Sequence, residues 1–232
     1  MAYPKVHGEL ETLAKIKEGY SIARWGDGEL KMAEGGAQVR ERENPSIAKE
    51  LRQIIAGRNK EHCLIGIPTM DPKGSKYRHQ EPTTGKWHGW HRHKERFCKH
   101  LSPDVEYWSA FITRPDCGEW MMNAEYAKAV QSIWLEKNVC VIANNEEDRE
   151  NKILKAVRFT QECTYIPCPY RSAYAEIDML EKEALSSGCE LILISAGVTA
   201  TCLANRLSPK VQAVDIGSIG GFLCSNLPRN VI

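Results

Sequence analysis

The chain has 232 residues, 42% of them apolar and 26% charged, with 31 Lys+Arg against 30 Asp+Glu and a net charge of +1. That balance suits one folded domain and excludes a disordered chain. No apolar run approaches the ~20 residues of a membrane span, and Met1-Ala2-Tyr3-Pro4-Lys5 lacks the apolar stretch of a signal peptide. A soluble, cytoplasmic protein is expected.

The first predicted element is a helix from about Leu10 to Lys17, where Leu10, Leu13, Ala14 and Ile16 share one side and Gly19 stops it. Tyr20 to Trp25 reads as a short strand leading into a sharp Gly26-Asp27-Gly28-Glu29 turn. Asn44-Pro45-Ser46 opens a helix running to about Gly57, and Cys63 to Ile67 is a buried strand ended by Pro68. Thr69 to Gly85 has turn chemistry, followed by a basic helix from Trp87 to His100 and a strand candidate from Tyr107 to Thr113. The second half alternates more cleanly. It runs helix Asn123–Glu136, strand Val139–Ala143, helix Glu147–Phe159, strand Thr164–Pro167 and helix Ala173–Ser186. Strand Glu190–Ser195, helix Thr199–Leu207 and strand Val211–Ile216 complete it. Strands alternating with helices of ~10–15 residues predict an α/β fold, a Rossmann-like, parallel-rich sheet with helices on both faces. One domain over residues 1–232 is expected, with a basic elaboration at about 69–105.

The nine cysteines are scattered, form no Cys-x-x-Cys pair and in several cases sit inside apolar runs. They read as reduced, buried small hydrophobes, in keeping with a cytoplasmic protein.

Three stretches carry candidate chemistry. Asp27 and Glu29 are two residues apart, so an extended or turn backbone would put both carboxylates on one side. Such a pair of hard oxygen donors, with Arg24 nearby, suits a divalent cation bridging a diphosphate; the plainer reading is an acidic turn. Strand Leu191 to Ser195 runs into Gly197 and then a helix carrying Thr199 in its first turn. Beyond the carboxyl end of a parallel strand, that helix start offers N–H groups to a phosphate, or is a simple cap. With no Gly-x-Gly-x-x-Gly and no Walker lysine, the usual dinucleotide and P-loop readings fail. Arg114, in Ile112-Thr113-Arg114-Pro115, ends a candidate strand and has the fork geometry to grip a phosphate.

Arg24-Trp25-Gly26-Asp27-Gly28-Glu29 resembles the Arg-aromatic-Gly-Asp-Gly-Glu signature of the GT-D-fold glycosyltransferases, a bacterial and phage family with an Asp-x-Glu motif. Thr113-Arg114 resembles the family's Thr-Arg after a central strand. Leu193 to Leu207 with Asp215-Ile216-Gly217 resembles its closing block, a Gly-x-Thr-Ala-x-x-x-Ala helix followed by Asp-(Ile/Val)-Gly. The resemblance implies transfer of a sugar from a nucleotide diphosphate sugar, often a UDP-sugar, to an acceptor hydroxyl. It implies Mn²⁺ or Mg²⁺ at Asp27 and Glu29, either of which is alternatively the base that deprotonates the acceptor. Arg24, Gly26, Gly28, Arg114, Gly197 and Thr199 are its implied nucleotide-sugar contacts.

Net charge hides an asymmetry. From Pro72 to His100 eight basic residues face only Glu81 and Glu95, a balance of +6, leaving about −5 for the remaining chain. Cations interleaved with Trp rings suit phosphates and bases, or the faces of sugars. Trp87, Trp90, Arg92, Lys94 and Arg96 are therefore candidate acceptor contacts, the acceptor being a glycan or glycoprotein, or a hydroxymethylated DNA base. Two other readings stand beside this one. His88, His91, His93, Cys98 and His100 could hold zinc, though without paired-ligand spacing. Alternatively the segment is a solvated helix face with Trp87, Trp90 and Phe97 packed on the core. The rival to an enzyme is a non-catalytic nucleic-acid-binding α/β module, in which Asp27-Gly28-Glu29 is only a turn.

Overall fold

The computed structural model describes residues 2–69, 88–114, 124–144 and 162–217. Seven parallel strands form one sheet: β1 (Ser21–Arg24), β2 (Cys63–Ile67), β3 (Tyr107–Ser109), β4 (Asn138–Asn144), β5 (Glu162–Cys168), β6 (Leu191–Ser195) and β7 (Gln212–Asp215). Their order across the sheet is β3-β2-β1-β7-β6-β4-β5. The chain builds leftward from β1 to β3 and then crosses to the other side. The crevice between the two halves therefore opens beyond the carboxyl ends of β1, β7 and β6. Open α/β sheets bind ligands at such a reversal.

Helices cover both faces: α1 (Glu9–Lys17), α2 (Asp27–Ala33), α3 (Pro45–Ile55), α4 (His88–Cys98), α5 (Ala124–Gln131), α6 (Ile177–Ser186) and α7 (Val198–Leu207). Apart from the edge strand β5, the strands are buried almost throughout because both of their sides are covered. Along β6, Ile192 and Ile194 join Trp25, Leu30, Leu51, Phe97 and Leu203 in the core under α2, α3, α4, α6 and α7. The intervening Leu191 and Leu193 join Ile16, Val130 and Trp134 in the core under α1 and α5. Phe97 packs fully buried against Trp25, as expected for that residue of the basic helix.

Two expected elements change shape. The strand expected over 107–113 stops at Ser109, whose hydroxyl takes the N–H of Phe111 at 3.1 Å and turns the chain. The helix expected from Ala173 begins as a 3-10 turn over Ala173–Glu176 and becomes α-helical at Ile177. The expected helix Glu147–Phe159 and most of the Thr69–Gly85 stretch lie outside the described residues, as does Trp87. All seven described cysteines are free; Cys63, Cys140, Cys168 and Cys202 are buried as expected, whereas Cys163 is exposed. Among the described residues no helix is long and apolar enough to cross a membrane.

Candidate active site

A cleft of about 360 Å³ opens at the carboxyl ends of the strands. Gly26, Asp27, Gly28, Glu29, Arg114 and Gly197 line it, so six of the eight residues singled out as catalytic or nucleotide-binding meet there. They come from three distant parts of the chain. The topology gathers them at the reversal of strand order.

The Gly26–Glu29 stretch is not the sharp turn expected. Gly26 is the N-cap of α2 and Asp27 its first residue. Glu29 stands at the third position and accepts the Gly26 N–H at 2.7 Å, half of a capping box. The helical backbone separates the two carboxylates. Helical residues two apart point about 200° away from each other, whereas in an extended backbone they would lie on one face. Asp27 is accordingly exposed at the cleft, while Glu29 is folded back on its own helix start and partly buried.

That environment changes Glu29. Burial pushes its carboxyl up to about 7, and the negative charge of the buried Asp215 pushes it the same way. A raised folded-state value means that between the ordinary 4.5 and about 7 the folded protein holds a proton that the unfolded chain has lost. Stability therefore falls as pH rises through that window and levels off above it. Glu29→Gln keeps an oxygen for the Gly26 N–H and carries no charge. Its melting temperature should fall less between pH 5 and pH 7 than that of the wild type, because Glu41 and Asp215, whose carboxyls burial also raises, remain. Parallel melting curves for the two proteins over that range would refute the assignment.

Gly197 precedes α7 with φ +59° and ψ −137°, a backbone that L-residues other than glycine avoid. A Cβ there would meet no neighbour, so the demand for glycine comes from the backbone alone. The first N–H groups of α7 are thus delivered to the cleft wall beside Ala196 and Val198. Thr199 is not in the wall. It is fully buried, and its hydroxyl donates to Glu41 at 3.3 Å. Arg24 is likewise beneath the cleft, 8% exposed and bonded to protein groups.

Several cleft residues were absent from the sequence reading. The segment linking α2 to α3 crosses the mouth and contributes Gln38, Val39, Arg40 and Glu41. Glu41 fastens it from inside: its carboxylate accepts the Tyr174 N–H and the Thr199 hydroxyl, each at 3.3 Å, and burial raises its pKa. Arg40 lies over the Tyr170 ring, 4.4 Å from its centre. In sequence, Arg40-Glu41-Arg42-Glu43 looks like a solvated charge run and gives no such signal. Asn144, at the end of β4, was within reach of the carboxyl-end rule.

The basic helix contributes less than its charge suggests. Arg96 donates through Nε to Glu34 at 2.9 Å and also pairs with it through Nη2, so its charge is matched on α2. Lys94 is exposed, and the side chains of Trp90 and Arg92 lie outside the described residues. Among the described residues no group of three or more His, Cys, Asp or Glu side chains is arranged to hold a metal ion, zinc included. That does not disqualify Mg²⁺ or Mn²⁺ with a diphosphate ligand. Such ions are commonly held by one or two carboxylates plus substrate phosphates. Asp27, with Glu29 beside it in sequence, fits that partial donor set.

Fold and cleft together define a doubly wound α/β protein whose reversal point brings an exposed carboxylate, an arginine and a helix start to one cleft. The model of the glycosyltransferase GT-D fold matches residues 22–221, and the chain belongs to that family. It is 26% identical over 229 residues to the glycosyltransferase GlyD of Streptococcus pneumoniae serotype 4, covering 93% of this chain and 27% of that protein. It is 25% identical over 217 residues to "Probable glycosyl transferase Gly" of Streptococcus gordonii, covering 88% of this chain and 30% of that protein. The chain thus spans under a third of the length of these curated relatives. The solved domain of unknown function 1792, described as having a distinct glycosyltransferase fold, superposes with a TM-score of 0.79 at 24% identity. That superposition covers 94% of this chain and 79% of the other.

Proposed function

We propose that this chain transfers a sugar from a nucleotide diphosphate sugar, a UDP-sugar in the first instance, to an acceptor hydroxyl, with Mn²⁺ or Mg²⁺ as cofactor. The observation that carries the reading is the convergence of Asp27, Arg114 and the α7 start on one cleft. Departure of a nucleoside diphosphate builds negative charge on its phosphates, and lowering that barrier requires cations and N–H donors aimed at them. Arg114 supplies a fixed positive fork, and the first turn of α7 supplies N–H groups with a partial positive charge. Asp27 is the exposed carboxylate available to a divalent cation. When bound, the cation neutralises charge on the leaving diphosphate. Glu29 is held by its capping bond in the same helix turn, either as a second donor or as the base for the acceptor hydroxyl. The reaction is placed in the cytoplasm, and the acceptor is a glycan or glycoprotein.

A glycan is favoured over hydroxymethylated DNA because Arg96, one of the cations in the candidate acceptor set, is already neutralised by Glu34. The deciding assay is release of UDP from a panel of UDP-sugars with and without Mn²⁺, using the purified chain and saccharide acceptors. Metal-stimulated release is expected, and silence across the whole nucleotide-sugar panel would sink the enzyme reading. Addition of duplex DNA containing 5-hydroxymethylpyrimidine tests the other acceptor. Transfer to it, or binding that falls steeply with salt, would overturn the glycan assignment.

A further inference from the structure

The two most distinctive motifs, Arg24-Trp25-Gly26-Asp27-Gly28-Glu29 and Asp215-Ile216-Gly217, meet in space at Arg24. Its Nη1 donates to the Ala110 carbonyl at 3.1 Å and to the Thr113 hydroxyl at 2.6 Å, and its Nη2 lies 3.5 Å from Asp215 Oδ1. The Thr113 hydroxyl in turn donates to the Ile216 carbonyl at 2.7 Å. Asp215 Oδ1 accepts the Gly217 N–H at 3.1 Å, and the Ser195 hydroxyl donates to the Gly217 carbonyl at 2.7 Å. Thr201 of α7 donates to the Arg24 carbonyl at 2.8 Å. One buried guanidinium therefore ties together the ends of β1 and β7 and the turn after β3, while its own carbonyl anchors α7.

We propose that Arg24 is a positioning residue that sets the arginine wall of the cleft against its carboxylate wall, and that it does so through Thr113 and Asp215 without touching the donor. This rests on the donor reading above. Arg24 sits three residues before Asp27, and Thr113 is the immediate neighbour of Arg114. A shift at the guanidinium thus moves both halves of the site relative to each other. A simple structural glue is the competing account. Buried ion pairs are poor glue, because desolvation offsets much of their attraction, whereas they fix one arrangement over others. Arg24 and Asp215 are each more than nine-tenths buried, and the Arg24 bonds point to three separate segments, an arrangement that enforces relative placement.

The test is a pair of conservative changes, Arg24→Lys and Thr113→Val, each made in the wild type and in an Arg114→Ala background. The second change removes the hydroxyl bridge and leaves the buried charge pair in place. In the wild type each should raise the KM for UDP-sugar, and weaken UDP binding with Mn²⁺, about tenfold, since small misplacements of a binding group are costly. In the Arg114→Ala background the same changes should cost less than about twofold, because the group they position is gone. Equal losses in both backgrounds would show that Arg24 does not act through Arg114, and the proposal falls. Amide hydrogen exchange gives a ligand-free readout. Residues 110–114 should exchange about tenfold faster in Thr113→Val, with α6 unchanged. Unaltered exchange at 110–114 overturns the proposal independently. A wild type that binds no UDP overturns the donor reading instead, and the exchange result still decides whether Arg24 and Thr113 place residues 110–114.

Discussion

Asp27→Asn is expected to lower turnover of the sugar-nucleotide donor by about 100-fold or more while the protein still folds. The two halves of that expectation come from different physics. Asp27 is exposed at the cleft, at the first position of α2, and makes no hydrogen bond to another side chain among those described. Its main structural contribution is the favourable effect of a negative charge near a helix start, worth roughly 0.3–1 kcal/mol. A neutral isostere thus costs little stability. Catalysis is another matter, because an amide is a far weaker ligand for a hard divalent cation than a carboxylate. The expected signature is a fall in kcat together with a weakened response to Mn²⁺, measured as UDP release across a metal titration. A variant that keeps wild-type turnover and metal response would remove Asp27 from the chemistry.

The order of elements was readable because buried parallel strands leave unbroken apolar runs, and the helices between them keep their 3.6-residue spacing. The six residues that line the cleft were readable for a related reason: they follow strands on the side of the sheet where an open α/β fold binds ligands. What failed was local in one case and non-local in others. At Gly26 a glycine N-cap has no side chain to advertise a helix start, so Glu29 at the third position read as half of an acidic turn. At Ser109 a single side chain–backbone bond ended a strand whose propensity continued. The family resemblance implies Arg24 as a nucleotide-sugar contact, yet its side chain is buried beneath the cleft. Its real partners, Thr113 and Asp215, are 89 and 191 residues away. Glu41 is the hardest case, because nothing around it distinguishes a buried anchor from a solvated charge.

Gly217→Ala is the change with the largest expected effect on stability. Two penalties coincide at this residue. Its φ of +50° lies in the left-handed region, where a residue with a Cβ costs ~1–2 kcal/mol. In addition, a Cβ at Gly217 would overlap the Arg24 guanidinium. That guanidinium is not the free end of a surface side chain. Ala110, Thr113 and Asp215 fix it from three directions, so relief requires breaking buried polar bonds, an overpacking cost of about 1–3 kcal/mol. The sum is about 2–5 kcal/mol, a fall in melting temperature on the order of 10 °C for a chain of this size. Gly188→Ala separates the two contributions. Gly188 also has positive φ, +67°, but a Cβ there meets nothing within 4 Å. It should show the conformational cost alone, and the excess loss in Gly217→Ala then measures how rigidly the Arg24 hub is held. Equal melting temperatures for the two variants would mean that the guanidinium moves aside freely. A hub that yields so easily cannot hold Arg114 and Asp27 in register.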